Sequence, residues 1–157
     1  MRSTWARSSR RRCGPLLDDR TLTMLICSLL GEIPDWDWNP GDPDYIYAAD
    51  PVIIFYGALG TSPDKAVGVR VYGAADSLTE HYGSRRVQLR LRGEPGRPDG
   101  ADVLAAPAFA ALQGLSRVGG ISGISRISMA PAGADDNRRE ERTENYLIIL
   151  DNLEALT

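Results

Sequence analysis

Residues 86–92 read R-V-Q-L-R-L-R. Successive side chains of a strand point to opposite faces, so this spacing makes two rows. Val87, Leu89 and Leu91 form one row; Arg86, Gln88, Arg90 and Arg92 form the other. Residues 66–72 repeat the pattern, with Val67, Val69 and Val71 opposite Gly68, Arg70 and Tyr72. Two strands patterned this way belong to a sheet with one apolar face and one arginine-rich face. The apolar face needs a cover, and the charged face must meet water or acids.

The rest of the chain supplies the cover. Leu22, Leu25, Ile26, Leu29, Leu30 and Ile33 recur at spacings of three and four, a single helical stripe. Asp18 or Asp19 is the expected N-cap, and Gly31 with Pro34 the stop, which predicts a helix over residues 16–32. A second helix is expected over 102–115, with Leu104, Ala108, Phe109, Leu112 and Leu115 inward. Pro107 lies inside that pattern, so the helix is expected to start or kink there. Further strands are expected at 52–56 (V-I-I-F-Y), at about 123–130, and at 145–150 (N-Y-L-I-I-L), the last pairing with its predecessor. Residues 34–51, with four prolines and four aromatics, are expected to be an irregular loop; residues 131–141 are expected to be a polar loop. The order helix, strands, helix, strands predicts an α+β fold: a mostly antiparallel sheet with about two helices on one face, in a single domain. A basic arm over 1–15 precedes that domain, which runs over 16–157.

Charge is distributed in blocks. Residues 1–14 hold five arginines and no acid; residues 15–64 hold nine acids against one base. Residues 65–130 hold nine bases against five acids, and residues 131–157 seven acids against three bases. The net charge of −3 therefore averages over parts of opposite sign. Such a chain is suited to contact with copies of itself or with charged partners. The basic stretch ahead of the apolar run 22–30 resembles a secretory signal only superficially. Asp18, Asp19 and Arg20 interrupt it, no small-x-small site follows, and the run is too short to span a bilayer.

Catalytic and cofactor chemistry finds little to use. Two cysteines, Cys13 and Cys27, cannot form a disulfide scaffold or a four-ligand zinc site. Cys27 falls in the helical stripe, as a small buried hydrophobe would. His81 is the single histidine. It follows Glu80, but no serine or cysteine nucleophile motif accompanies it, so it reads as a turn residue. The run from Asp35 begins like a calcium loop, yet position six is Pro40 and position twelve is Ile46, where that loop needs Gly and Glu. No G-x-G-x-x-G follows a strand and no phosphate-binding G-x-x-x-x-G-K motif occurs. No catalytic residue, metal or cofactor is expected. Arg10, Arg11 and Arg12, near Trp5, are candidate phosphate contacts.

Four stretches taken in order resemble the tail terminator proteins of long-tailed bacteriophages, also called minor capsid or tail-completion proteins. They are the opening helix over 16–30; I-F-Y-G-A-L (54–59) with S-P-D-K-A-V (62–67) and V-Y-G (71–73); V-Q-L-R-L-R-G (87–93) with the helix to Leu115; and D-D-N-R (135–138) with Arg142–Tyr146 before the final strand. The resemblance covers about residues 16–151 and does not include the arm. It implies a structural virion protein: a ring, usually a hexamer, at the head-proximal end of the tail tube, which stops tube polymerisation and joins the tail to head-completion proteins. The partners it implies are further copies of the chain, the tail tube protein, a head-completion or stopper protein, and genomic DNA passing through the lumen without sequence recognition. No membrane is involved.

Within such a ring, the arginine face (Arg70, Arg86, Arg90, Arg92) is expected to meet the acidic loop of a neighbour (Asp35, Asp37, Asp42, Asp44). Opposite signs on different surfaces suit contact between subunits better than contact with nucleic acid. Two rival readings are a head–tail connector or stopper of the neck, which shares small size and ring symmetry, and a nucleic-acid-binding module using the arm.

Overall fold

Asp18 accepts a hydrogen bond from the Thr21 amide at 2.7 Å and so caps helix α1 (Asp19–Gly31). The structure is a computed structural model and describes residues 17–40, 44–46, 50–77, 79 and 83–151. The arm 1–15 with Arg10, Arg11 and Arg12, together with Asp42 and His81, lies outside the described residues. After α1 come β1 (Trp36–Asp37), β2 (Val52–Tyr56), β3 (Ala66–Asp76), β4 (Gly83–Pro95), α2 (Gly100–Leu112), β5 (Ile121–Ala134) and β6 (Arg139–Leu150). The six strands form one sheet in the order β1-β2-β3-β4-β6-β5. β1, β2 and β3 are mutually parallel, and the pairs β3–β4, β4–β6 and β5–β6 are antiparallel.

The fold is α+β, as the alternation predicts. α1 packs on β2 and β3, and α2 on β4 and β6. Between helices and sheet lie Leu22, Ile26, Leu30, Ile54, Val67, Val69, Val87, Leu89, Leu91, Leu104, Ala108, Leu112, Tyr146 and Ile148, all buried. Each such aliphatic side chain contributes about 1.5–3 kcal/mol relative to exposure. Cys27 is buried in the same core, and burial pushes its thiol up to about 12.

Four expectations need correction. Residues 34–51 are not wholly irregular: Trp36 is buried and pairs with Val52, and Asp37 pairs with Ile53, adding a short parallel strand. A buried indole at the edge is worth enough apolar area to order two residues between prolines. Most of the expected polar loop over 131–141 is in fact the end of a long hairpin, with β5 reaching Ala134 and β6 starting at Arg139. Its residues escape an apolar–polar pattern because residues 127–134 of the outer strand are exposed on both faces. The second helix starts at Gly100, so Pro107 sits inside it rather than at its start. Finally, the simple alternation of β3 ends in a bulge between Val71 and Gly73, which an unpaired sequence pattern does not show.

One connection decides what happens on the other face. β2 and β3 are adjacent and parallel, so the chain between them must travel back the length of a strand. Such returns are usually helical, but here residues 57–65 make the return across the face opposite the helices. The turn starts at Gly57 (φ +87°). It passes so close over β3 that a Cβ on Gly68 would lie 2.4 Å from the Gly57 carbonyl oxygen. Beneath this return, Ile53, Ala66 and Arg92 are buried.

Candidate assembly surface

The polar row of β4 does not act as one surface. Arg92 is only 4 % exposed. Its Nη1 donates to the Gly60 carbonyl at 2.7 Å, its Nη2 to the Pro63 carbonyl at 2.7 Å, and its Nε to the Asp64 carbonyl at 2.9 Å. The return loop has no strand or helix to satisfy these carbonyls, and the guanidinium fork satisfies three of them at once. Burial, and then the neighbouring charge of Arg139, push the Arg92 pKa down. The expectation that Arg92 faces a partner is therefore wrong. The row was read correctly, but the loop that covers its end comes from another part of the chain.

Arg139 completes the clamp. Its Nη1 donates to the Thr61 carbonyl at 2.8 Å and to Asp64 Oδ1 at 3.2 Å. Its Nε donates to Asp135 Oδ2 at 2.8 Å. Asp135 also accepts from the amides of Asn137 and Arg139 in the hairpin turn. Those bonds, led by the one from the Arg139 amide, hold its carboxyl below the usual carboxylate range.

Further along β4 the same face is open. Arg90 is exposed and its Nε donates to Glu141 at 2.9 Å. Gln88 donates to Asn145 on β6 at 3.0 Å. Arg70 on β3 and Arg86 on β4 are exposed and make no ion pair among the described residues. A depression of about 430 Å³ lies here, lined by the 57–59 turn, Gly68, Arg70, Gln88, Arg90, Arg92 and Glu141. Three guanidiniums border it against one carboxylate.

The acidic stretch lies on the far edge of the sheet. Asp37 is on β1 and accepts a hydrogen bond from the Tyr45 hydroxyl at 3.1 Å. Asp35 precedes β1, is exposed, and has a left-handed backbone (φ +66°) with its carbonyl bonded to the Val52 amide. Asp44 is exposed. The structure joins Arg70 and Arg90 in one depression and leaves Asp35 and Asp37 at the edge.

A second ionic centre, on the helix side of the sheet, escaped the sequence reading. Glu144 is fully buried and accepts from Arg126 at 3.0 Å, from Arg142 at 2.7 Å and from the Tyr146 hydroxyl at 3.0 Å. Arg142 reaches on to Asp102 of α2 at 3.0 Å, and Arg126 lies 4.3 Å from the Phe109 ring centre. Burial, and then Glu144, push the Tyr146 pKa up. Arg85 likewise ties α1 to the sheet, through Asp19 at 2.8 Å and Asp76 at 2.6 Å. A signal did exist: Glu144, Tyr146 and Ile148 share one phase of β6, so period two alone puts Glu144 on the packed face. Among the described residues no group of acids, histidine and cysteine could hold a metal, and no helix is long and apolar enough to cross a membrane.

A family model described as bacteriophage tail terminator protein matches residues 40–152, which span β2 through β6 with both clamp arginines and the hairpin. The chain belongs to the bacteriophage tail terminator family. That makes it a structural protein of phage. The match includes the return loop, the arginine face and α2, and leaves out α1, β1 and the arm. Among solved structures, a chain of the virion of a native gene transfer agent particle is similar, with a TM-score of 0.50 and 12% identity over 90% of each chain. That likeness shows a shared fold. Comparison with curated proteins gave no match.

Proposed function

We propose that this terminator-family protein forms a ring, a hexamer by family expectation, at the head-proximal end of the tail tube. One ring face accepts the last layer of tube protein; the other cannot template another layer, so polymerisation stops. That second face then joins the head-completion or stopper protein, and genomic DNA crosses the lumen without being read. The ring assembles in the host cytoplasm and ends in the virion. The role is structural and needs no bond-making chemistry.

The observation that carries this reading is the family match over residues 40–152. The divided face supports it as well. A single small sheet that leaves charged arginines open on one side and acids at an edge suits heterologous, head-to-tail contact, which closes into rings. In this reading the acidic residues Asp35, Asp37, Asp42 and Asp44 meet the open arginine face of the next copy, with Arg70, Arg86 and Arg90 as its charged groups. Arg10, Arg11 and Arg12 remain candidate phosphate contacts near the DNA path.

The test is native mass spectrometry and electron microscopy of the purified chain, alone and with tail tubes. Rings that cap tube ends are expected. A strict monomer that leaves tube ends growing overturns the proposal. Rings that bind only a head-side connector and ignore tubes favour the neck reading instead.

A further inference from the structure

The depression beside the return loop has an unbalanced charge and a shape made by main chain. Its floor is Gly68, where the Gly57 carbonyl passes too close for any side chain. Arg70 leans over Gly57: a Cβ there would lie 3.1 Å from Arg70 Nη2. On the other side stand Arg90, held through Nε by Glu141, and the buried Arg92, whose donors are taken by carbonyls. Gln88 is taken by Asn145. Of the groups lining the depression, then, Arg70 is fully uncommitted and Arg90 keeps its terminal nitrogens, while Glu141 is the one acid among three arginines. A site of this kind attracts an anion, and guanidiniums bind a carboxylate through paired N–H groups.

We propose that this depression is a carboxylate socket for a second copy of the chain, filled by the acidic edge beside β1 with Asp35 as the inserted group. The inference rests on the ring reading above and names the residues that would close it. Asp35 suits the role because its mount is rigid. Trp36 next to it is buried, and the Asp35 carbonyl is fixed by the Val52 amide at 2.9 Å. The side chain is exposed and makes no ion pair among the described residues. The left-handed backbone at Asp35 is one that Asp and Asn adopt far more readily than other residues with a side chain. The depression, at about 430 Å³, is larger than one carboxylate, so a short stretch of edge enters with it. Glu141 holds Arg90 in place in the free protomer and becomes its second acid in the ring.

The experiment uses the full-length protein and a double-mutant cycle read by sedimentation equilibrium. Arg70→Gln removes the free charge, and Asp35→Asn removes the acid while keeping a residue that tolerates its backbone. Each single variant is expected to weaken association about tenfold or more, and the double variant no further than either single one. Arg20→Gln, which changes an exposed arginine of α1 on the opposite side of the sheet, is expected to associate as the parent does. Thermal unfolding of every variant separates lost association from lost folding; both substituted side chains are exposed, so Tm is expected to hold. Losses that multiply in the double variant overturn the pairing. So do rings that form normally with Arg70→Gln but lose salt-dependent DNA binding, which would assign the socket to phosphate. If the parent chain itself forms no ring, the ring reading fails; if the parent closes and both single variants close equally well, only the socket fails.

Discussion

Arg92 and Arg70 lie on the same face of the same sheet, on neighbouring strands, and do opposite things. Arg92 is buried and each of its three side-chain nitrogens donates to a carbonyl of the return loop. Arg70 is exposed and makes no ion pair among the described residues. Identical side chains in a common row thus divide into a clamp and a free charge. The divider is a nine-residue connection between parallel strands that covers one end of the face and stops short of the other. An arginine row is therefore not a binding surface until the connections above it are known. The covered end supplies stability, and the open end is left for partners.

The comparison breaks if the two ends respond alike to substitution. The largest effect is expected from Arg92→Ala. It strips three loop carbonyls of their donors at once and should cost about 3 kcal/mol or more of stability, read by urea unfolding. A loss below about 1 kcal/mol would mean water replaces the clamp without difficulty. Gly68→Ala comes next. The new methyl must push the Gly57 carbonyl away, at about 1–3 kcal/mol, and should also distort the depression. An unchanged Tm for this variant would show that the return loop is free to lift.

Asp135→Asn sharpens the covered end through pH. The folded pKa of Asp135 is depressed, so its contribution is fully present above the ordinary carboxylate value of 3.8 and is lost as pH falls through the folded value. The parent protein should therefore lose stability on acidification below about pH 4 more steeply than the variant, with Tm against pH as the measurement. Parallel curves would show that Asp135 is not part of the clamp. The smallest effect on stability is expected from Arg70→Ala, within about 0.5 kcal/mol by the same urea titration. A large loss there would erase the distinction between clamp and free charge.

Most of the elements were legible from spacing. The period-two rows of 66–72 and 86–92 located β3 and β4, and the three-and-four stripe from Leu22 to Ile33 located α1, because each period has one packed side. The cap was legible to within one residue, Asp18 or Asp19, and the structure shows it to be Asp18. The hairpin was only half legible. Residues 145–150 carry an apolar run, but residues 127–134 have no buried face to impose a pattern. The alternation put Arg70, Arg86 and Arg90 on an exposed face, but it could not show that Arg92 is covered, nor that Arg139, Asp135 and Glu144 belong to ionic networks.

The sequence by itself determined the alternating strands, the helices that cover their apolar row, the charge blocks, and the order of motifs that marks the terminator family. These are local or periodic properties, written in neighbouring residues. Only the tertiary structure decided which arginines are free. That choice depends on residues 57–65 crossing back over β3 and β4, and on Arg139 arriving from the end of the chain to hold them. Burial and hydrogen bonding of a charge are set by what lies above it in space, and residues far apart in the chain supply that cover.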